Sequence, residues 1–249
     1  MDRSDSKTTG TLYGVGVGPG DPELITLKAA RLITDCALIT YISSTGGHSM
    51  SRSIAAGLLD GAESRGQIEY PIVMPMCDNR ELANSAYDQG ADRIRQSLDA
   101  GDDVVFLCEG DPFFFGSFAY LHDRLAAAYD VKVIPGVMSL TAAAAATGHA
   151  MGLLGENVAV ISGRRDDGDI LDTLARFDNV AIMKPGRRRA KLVELIQQAG
   201  RSDRAIYLEY VGHEKQRIET DISQLGDAPG PYFSLFILRR PRDFLQHDS

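Results

Sequence analysis

Short apolar runs alternate with stretches of helical period along most of the chain, and that alternation constrains the fold more than any other feature. TLYGVGV (11–17), CALITYI (36–42), IEYPIVM (68–74), DVVFLC (103–108) and VKVIP (131–135) read as strands. Helices are predicted between them: one opened by Asp21 and Pro22, then 49–60, 80–99 and 113–128. In the first, Ile25, Ala29, Leu32 and Ile33 share one face. Strand and helix in strict succession predict a wound parallel sheet, because a parallel pair needs a crossover that a helix supplies. Pro71 inside the third run predicts an edge strand, since proline cannot donate to a ladder.

The pattern breaks at Pro135-Gly136 and resumes with a small-residue helix, VMSLTAAAAATGHA. Strands at 157–162 and 179–184 then alternate with helices at 169–177 and 187–199. After Gly200, RAIYLEYV, QRIETDI and YFSLFILRR follow one another through short links, as antiparallel strands do. The expectation is two α/β domains, 1–136 with a parallel sheet and 137–249 with a mixed one.

Several function classes fall away. A net charge of −8 disfavours nucleic acid as a partner. Cys36, Cys77 and Cys108 are widely spaced and odd in number, as expected of buried free thiols in a reducing compartment. The histidines show no H-x-x-x-H pairing, so no metal site is expected. The segment MDRSDSKTTG has no apolar core of a signal sequence, and no run reaches membrane-spanning length. These features predict a soluble, cytoplasmic protein without a membrane partner.

Glycines cluster after the first strand, in GVGVGPGDPELIT (14–26). Counted from Gly14, Gly16 or Gly18, the last position of G-x-G-x-x-G falls on Pro19, Asp21 or Glu23, so the dinucleotide fingerprint fails. The chain contains no Gly-Lys pair, so a P-loop fails as well. What remains is either a tight turn or a loop that lets a ligand approach its backbone. Gly-Asp-Pro occurs twice, at 20–22 and 110–112, each time between a strand and a helix. Asp21 and Asp111 suit helix caps with proline in the first turn. In a parallel sheet both loops also lie at the carboxyl ends of strands, where open α/β sheets bind ligands. Glu109 caps nothing in its neighbourhood, and reads as a solvated loop acid or a functional one.

GVGVGPGDPELITLKAARLI, CEGDPFFFGSFAYL, VIPGV, AIMKPG and YLEYVGHEKQRI, in this order and spacing, resemble the tetrapyrrole methylase family over about 11–240. Within it, the Glu-Gly-Asp-Pro-Phe-Phe loop, the following GSF and the terminal YFSL are most similar to the precorrin-2 C20-methyltransferases. The resemblance implies two α/β domains with an active-site trough between them, a homodimer, and S-adenosylmethionine as cofactor. It implies methyl transfer to C20 of precorrin-2 or cobalt-factor II, on the way to cobalamin. Cofactor contacts implied by the matching motifs are Pro19, Glu109, Gly110, Asp111, Phe114, Met138, Ser139, Met183, Tyr210 and Val211. Met138 stands where the family has small or hydroxyl residues, and SGRRDD (162–167) is more charged than the family pattern.

Methyl transfer from a sulfonium needs alignment and a dry site rather than a metal or a covalent intermediate. Once C20 is methylated its proton must leave, and Glu109, Asp111 and Tyr210 are the candidates to help. A polycarboxylate substrate also calls for local positive charge on an acidic protein. KPGRRRAK (184–191) offers it through Lys184, Arg187, Arg188, Arg189 and Lys191, with Arg164 and Arg165 from a neighbouring loop. The alternative for that run is a solvated helix face. Rival readings of the whole chain are a methylase of the same fold acting at another tetrapyrrole carbon or on another substrate, and a non-catalytic nucleotide-binding module.

Overall fold

The computed structural model describes residues 9–75 and 79–239, so Cys77, His247 and the first eight residues lie outside the described residues. The chain divides into two compact units, with the division between Met138 and Ser139.

The first unit holds β1 (Thr11–Gly16), β2 (Leu38–Ser44), β3 (Ile68–Met74), β4 (Val104–Cys108) and β5 (Asp130–Ile134). They form one sheet in the order β3-β2-β4-β1-β5, and every pairing is parallel. β3 is an edge strand, which accommodates Pro71. β4 is buried along its whole length, as a central parallel strand covered on both faces must be. One face carries Leu12, Phe106, Ile94, Leu98 and Phe118, and the other Val15, Val105, Leu107, Ile33 and Ile39. The helices are α1 (Leu27–Asp35), α2 (Met50–Ile54), α3 (Ala56–Leu59), α4 (Arg80–Ala100) and α5 (Phe118–Leu125).

Three helix expectations need correction here. Asp21 does cap, accepting from Glu23 N at 2.8 Å, but what it caps is a single 3-10 turn, Pro22–Leu24. The chain then extends through Ile25, and Thr26 starts α1 anew by accepting from Ala29 N. The predicted 49–60 helix is broken at Ala55 into α2 and α3. After Asp111 the α-helix is delayed to Phe118, because Phe115 takes a left-handed φ of 56° that no right-handed helix can contain.

The second unit holds β6 (Val158–Ser162), β7 (Asn179–Met183), β8 (Ala205–Glu209), β9 (Arg217–Glu219) and β10 (Ser234–Leu238), in the order β6-β7-β10-β8-β9. β6 and β7 are parallel, while β10 runs antiparallel to both its neighbours, and β8 pairs antiparallel with β9. Its helices are α6 (Ser139–Thr147), α7 (Asp167–Arg176) and α8 (Arg189–Gln198). Ile170, Leu174, Ile182, Leu192, Ile196, Tyr207 and Phe236 make its core. The fold class is therefore two α/β domains, one sheet parallel and the other mixed. Among the described residues no helix is long and apolar enough to cross a membrane.

Candidate active site

In the first sheet β4, β1 and β5 are neighbours and run the same way, so the loops that leave their carboxyl ends lie side by side. The ladder continues into the loops: Val17 N donates to Cys108 O at 2.9 Å, and Gly110 N donates to Gly18 O at 2.8 Å. Here the backbones touch. A Cβ at Gly16 would lie 2.5 Å from Gly110 O and 2.7 Å from Gly136 Cα, and one at Gly136 would strike Gly110 O. Glycine at 16 and 136 is thus a packing requirement. Gly18 and Gly110 answer a different need, with φ of 81° and 66° that other residues rarely adopt.

Asp111 ties two of these loops together. Its Oδ1 accepts from Phe113 N at 2.9 Å and its Oδ2 from Gly136 N at 3.2 Å. Glu109 also has a cap role, but a distant one: its Oε1 accepts from Ser51 N, in the first turn of α2, at 3.0 Å. This corrects the expectation of a loop acid that caps nothing, and only the fold brings the two together. Cys108, immediately before, is buried, and burial pushes its thiol well above its ordinary value, so it is an inert core group. Of the loop phenylalanines, Phe113 and Phe115 are exposed and Phe114 is half-buried, its ring set edge-on to Phe115.

Met183, Lys184, Tyr210 and Val211 meet at one edge of the second sheet. β7 and β8 flank β10 and run the same way, so their last residues lie on either side of Ser234. Lys184 N donates to Ser234 O at 3.3 Å and Tyr210 N to Phe233 O at 2.8 Å. Both residues hold left-handed backbones, φ 57° and 49°, and with Phe115 they are the non-glycine residues that do so among those described. Such strain persists where the surroundings enforce it, and it concentrates at functional sites. Met183 and Val211 are buried, while the Lys184 ammonium sits 5.2 Å from the Tyr232 ring centre. Ser139 is the first residue of α6.

The basic run is less available than its sequence suggests. Arg189, expected at a substrate rim, is buried: it pairs with Glu209 at 3.4 Å, donates to Gly226 O at 3.1 Å and lies over the Tyr207 ring. Arg188 ties its own loop to the neighbouring one, donating to Gly163 O at 2.9 Å and to Arg165 O, and pairing with Asp167. Arg165 pairs with Asp169, and Lys191 with Glu194. Carboxylates that interleave with the arginines in space account for cations at a helix start, which the helix dipole alone would disfavour.

The glycine-built edge fits a cofactor that is gripped by backbone. A Cβ on Gly110 would meet nothing nearer than Val137 O and Met138 Cα, both at 3.9 Å, so the space over that glycine is clear. The sequence leaves no sign of the packing of Gly16 on Gly136, of the left-handed backbones of Lys184 and Tyr210, or of the contact between Glu109 and Ser51. Only Ser49 left a local trace, as a serine cap before Met50.

Residues 11–226 match the model of the tetrapyrrole (corrin/porphyrin) methylases, and the chain belongs to that family. It is 34% identical over 92% of its length to the cobalamin biosynthesis protein CobIJ of Mycobacterium bovis, but spans only 46% of that longer protein. It is 32% identical to the precorrin-2 C(20)-methyltransferase of a Sinorhizobium species, covering 92% of this chain and 95% of the relative. Among solved structures, the uroporphyrin-III C-methyltransferase of Thermus thermophilus complexed with S-adenosylhomocysteine superposes with a TM-score of 0.63 at 25% identity, covering 92% of this chain and 97% of that one.

Proposed function

We propose that this chain transfers the methyl group of S-adenosylmethionine to C20 of precorrin-2, or of its cobalt-bearing counterpart cobalt-factor II, in cobalamin biosynthesis. The observation that carries the reading is the glycine-built edge after β4, β1 and β5, where loop backbone is open to a ligand and Asp111 locks two of the loops. Similarity along nearly the full length of the Sinorhizobium enzyme supports C20 as the position.

When bound, S-adenosylmethionine supplies an electrophilic methyl group on sulfur. The chain's part is to orient and to exclude water; alignment of this kind is worth up to about 7–11 kcal/mol. Pro19, Gly110, Phe114 and Met138 are proposed to line the cofactor, with Ser139, Met183, Tyr210 and Val211 completing the set. Substrate carboxylates call for local positive charge, which the basic run 184–191 is proposed to supply. The Asp111 and Glu109 carboxylates already accept backbone N–H groups. The Tyr210 phenol is proposed to relay the proton lost from C20, giving up its own proton as it takes that one. The same reading takes the protein to be a cytoplasmic homodimer, which light scattering of the purified chain tests.

Incubation with 13C-methyl-labelled S-adenosylmethionine and either precorrin-2 or cobalt-factor II tests the activity. One labelled methyl at C20, located by NMR, is expected from at least one substrate. Label at another carbon, or none from either, would overturn the assignment.

A further inference from the structure

We propose that Glu109 is a positioning residue, which fixes the Gly110–Asp111 loop by anchoring it to α2, and that Arg52, Glu69 and Tyr41 hold α2 in place for that purpose. The inference rests on the reading of this loop as the cofactor floor.

The contacts run from the amino end of β3 and the middle of β2, through α2, to the loop that follows β4. Tyr41 on β2 donates to Glu69 Oε2 at 2.9 Å. Arg52 on α2 grips the same carboxylate with both prongs, Nε to Oε2 at 3.0 Å and Nη2 to Oε1 at 2.9 Å. The hydrogen bond from Arg52 holds the Glu69 carboxyl below the usual carboxylate range, as a formed pair requires. The residue before Arg52 is Ser51, whose N–H meets Glu109. Ser51 and Ile54 are buried, so α2 is seated as well as tied. A five-residue helix has little stability of its own, and its place is set by such contacts. Edge strand β3 is thereby linked through α2 to the residue that precedes Gly110.

A positioning role and a proton-accepting role predict different variants. Glu109→Ala removes the acceptor and leaves the buried Ser51 N–H unpaired, whereas Glu109→Gln keeps an acceptor oxygen but cannot take a proton at neutral pH. S-adenosylhomocysteine is titrated calorimetrically into the full chain and its variants, and steady-state turnover is measured alongside. Glu109→Ala is expected to weaken binding about tenfold, the size of one hydrogen bond to a charged group. Glu109→Gln should recover most of that loss in both binding and kcat. Arg52→Ala, away from the loop, should weaken binding about threefold, and the double variant Arg52→Ala/Glu109→Ala should be no worse than Glu109→Ala, since coupled residues are not additive. If Glu109→Ala does not fold, Glu109→Gln and Arg52→Ala still decide. Affinity at the parent value in Arg52→Ala, or Glu109→Gln that binds normally yet loses kcat as a missing base would, overturns the proposal. A parent chain that fails to bind S-adenosylhomocysteine overturns the cofactor reading instead.

Discussion

The sheet edges of the two units that hold candidate residues are built in opposite ways. In the first unit the loops after β1, β4 and β5 meet through glycines, and Gly16, Gly110 and Gly136 bring backbone against backbone. In the second unit the corresponding turns after β7 and β8 use Lys184 and Tyr210, full side chains held at left-handed φ. Glycine adopts that conformation without a Cβ clash, so the first edge is close-packed and relaxed. A non-glycine residue held there stores about 1–3 kcal/mol of strain, so the second edge presents side chains at a cost in stability. The first edge therefore suits a ligand gripped by main chain, and the second a ligand met by an ammonium and a phenol.

The largest effect should come from breaking the first edge. Gly136→Ala places a Cβ against Gly110 O and 2.8 Å from Gly16 Cα, where only backbone can yield. A loss of about 3 kcal/mol is expected, at the upper end for overpacking, read from urea unfolding. A loss below half of that would mean the loops are looser than their contacts imply. The smaller effect sharpens the other side. Lys184→Gly relieves left-handed strain of about 1–3 kcal/mol against about 0.5–1 kcal/mol for the greater chain entropy that glycine loses, so a net gain of about 1 kcal/mol in stability is expected, with weaker tetrapyrrole binding. If the variant is instead less stable, the Lys184 contact with Tyr232 outweighs the strain.

Much of the architecture was legible because it is periodic. The strands of both sheets were found within a few residues, and Pro71 marked the edge strand, since a parallel sheet leaves a strong local trace in its apolar runs. The helices after the two Gly-Asp-Pro motifs were placed too early. A cap and a proline announce a turn, but whether the turn propagates depends on residues such as Ile25 and Phe115, whose backbone is set by packing. The same limit applies to charge. The run 184–191 looked like a free basic patch, yet Glu209 and Asp167, distant along the chain, neutralise Arg189 and Arg188. Two buried thiols were foreseen correctly at Cys36 and Cys108, and burial drives the Cys36 thiol up to about 12. Glu109 was singled out, but its partner Ser51 lies 58 residues earlier, and nothing local connects them.

The central claim is that the glycine-built edge is the floor of the S-adenosylmethionine site, and Gly110 is where to test it. Valine there would confound the result, because a β-branched residue is strained at φ 66°. Asparagine tolerates the left-handed region and would extend into space that is clear of protein out to 3.9 Å. Calorimetric titration of S-adenosylhomocysteine into the parent and Gly110→Asn, with unfolding curves for both, is the direct measurement. The account predicts one site per chain in the parent and loss of binding in the variant, at nearly unchanged stability. Equal affinity in the two proteins would contradict it, leaving the loop as no more than a tight turn between β4 and α5.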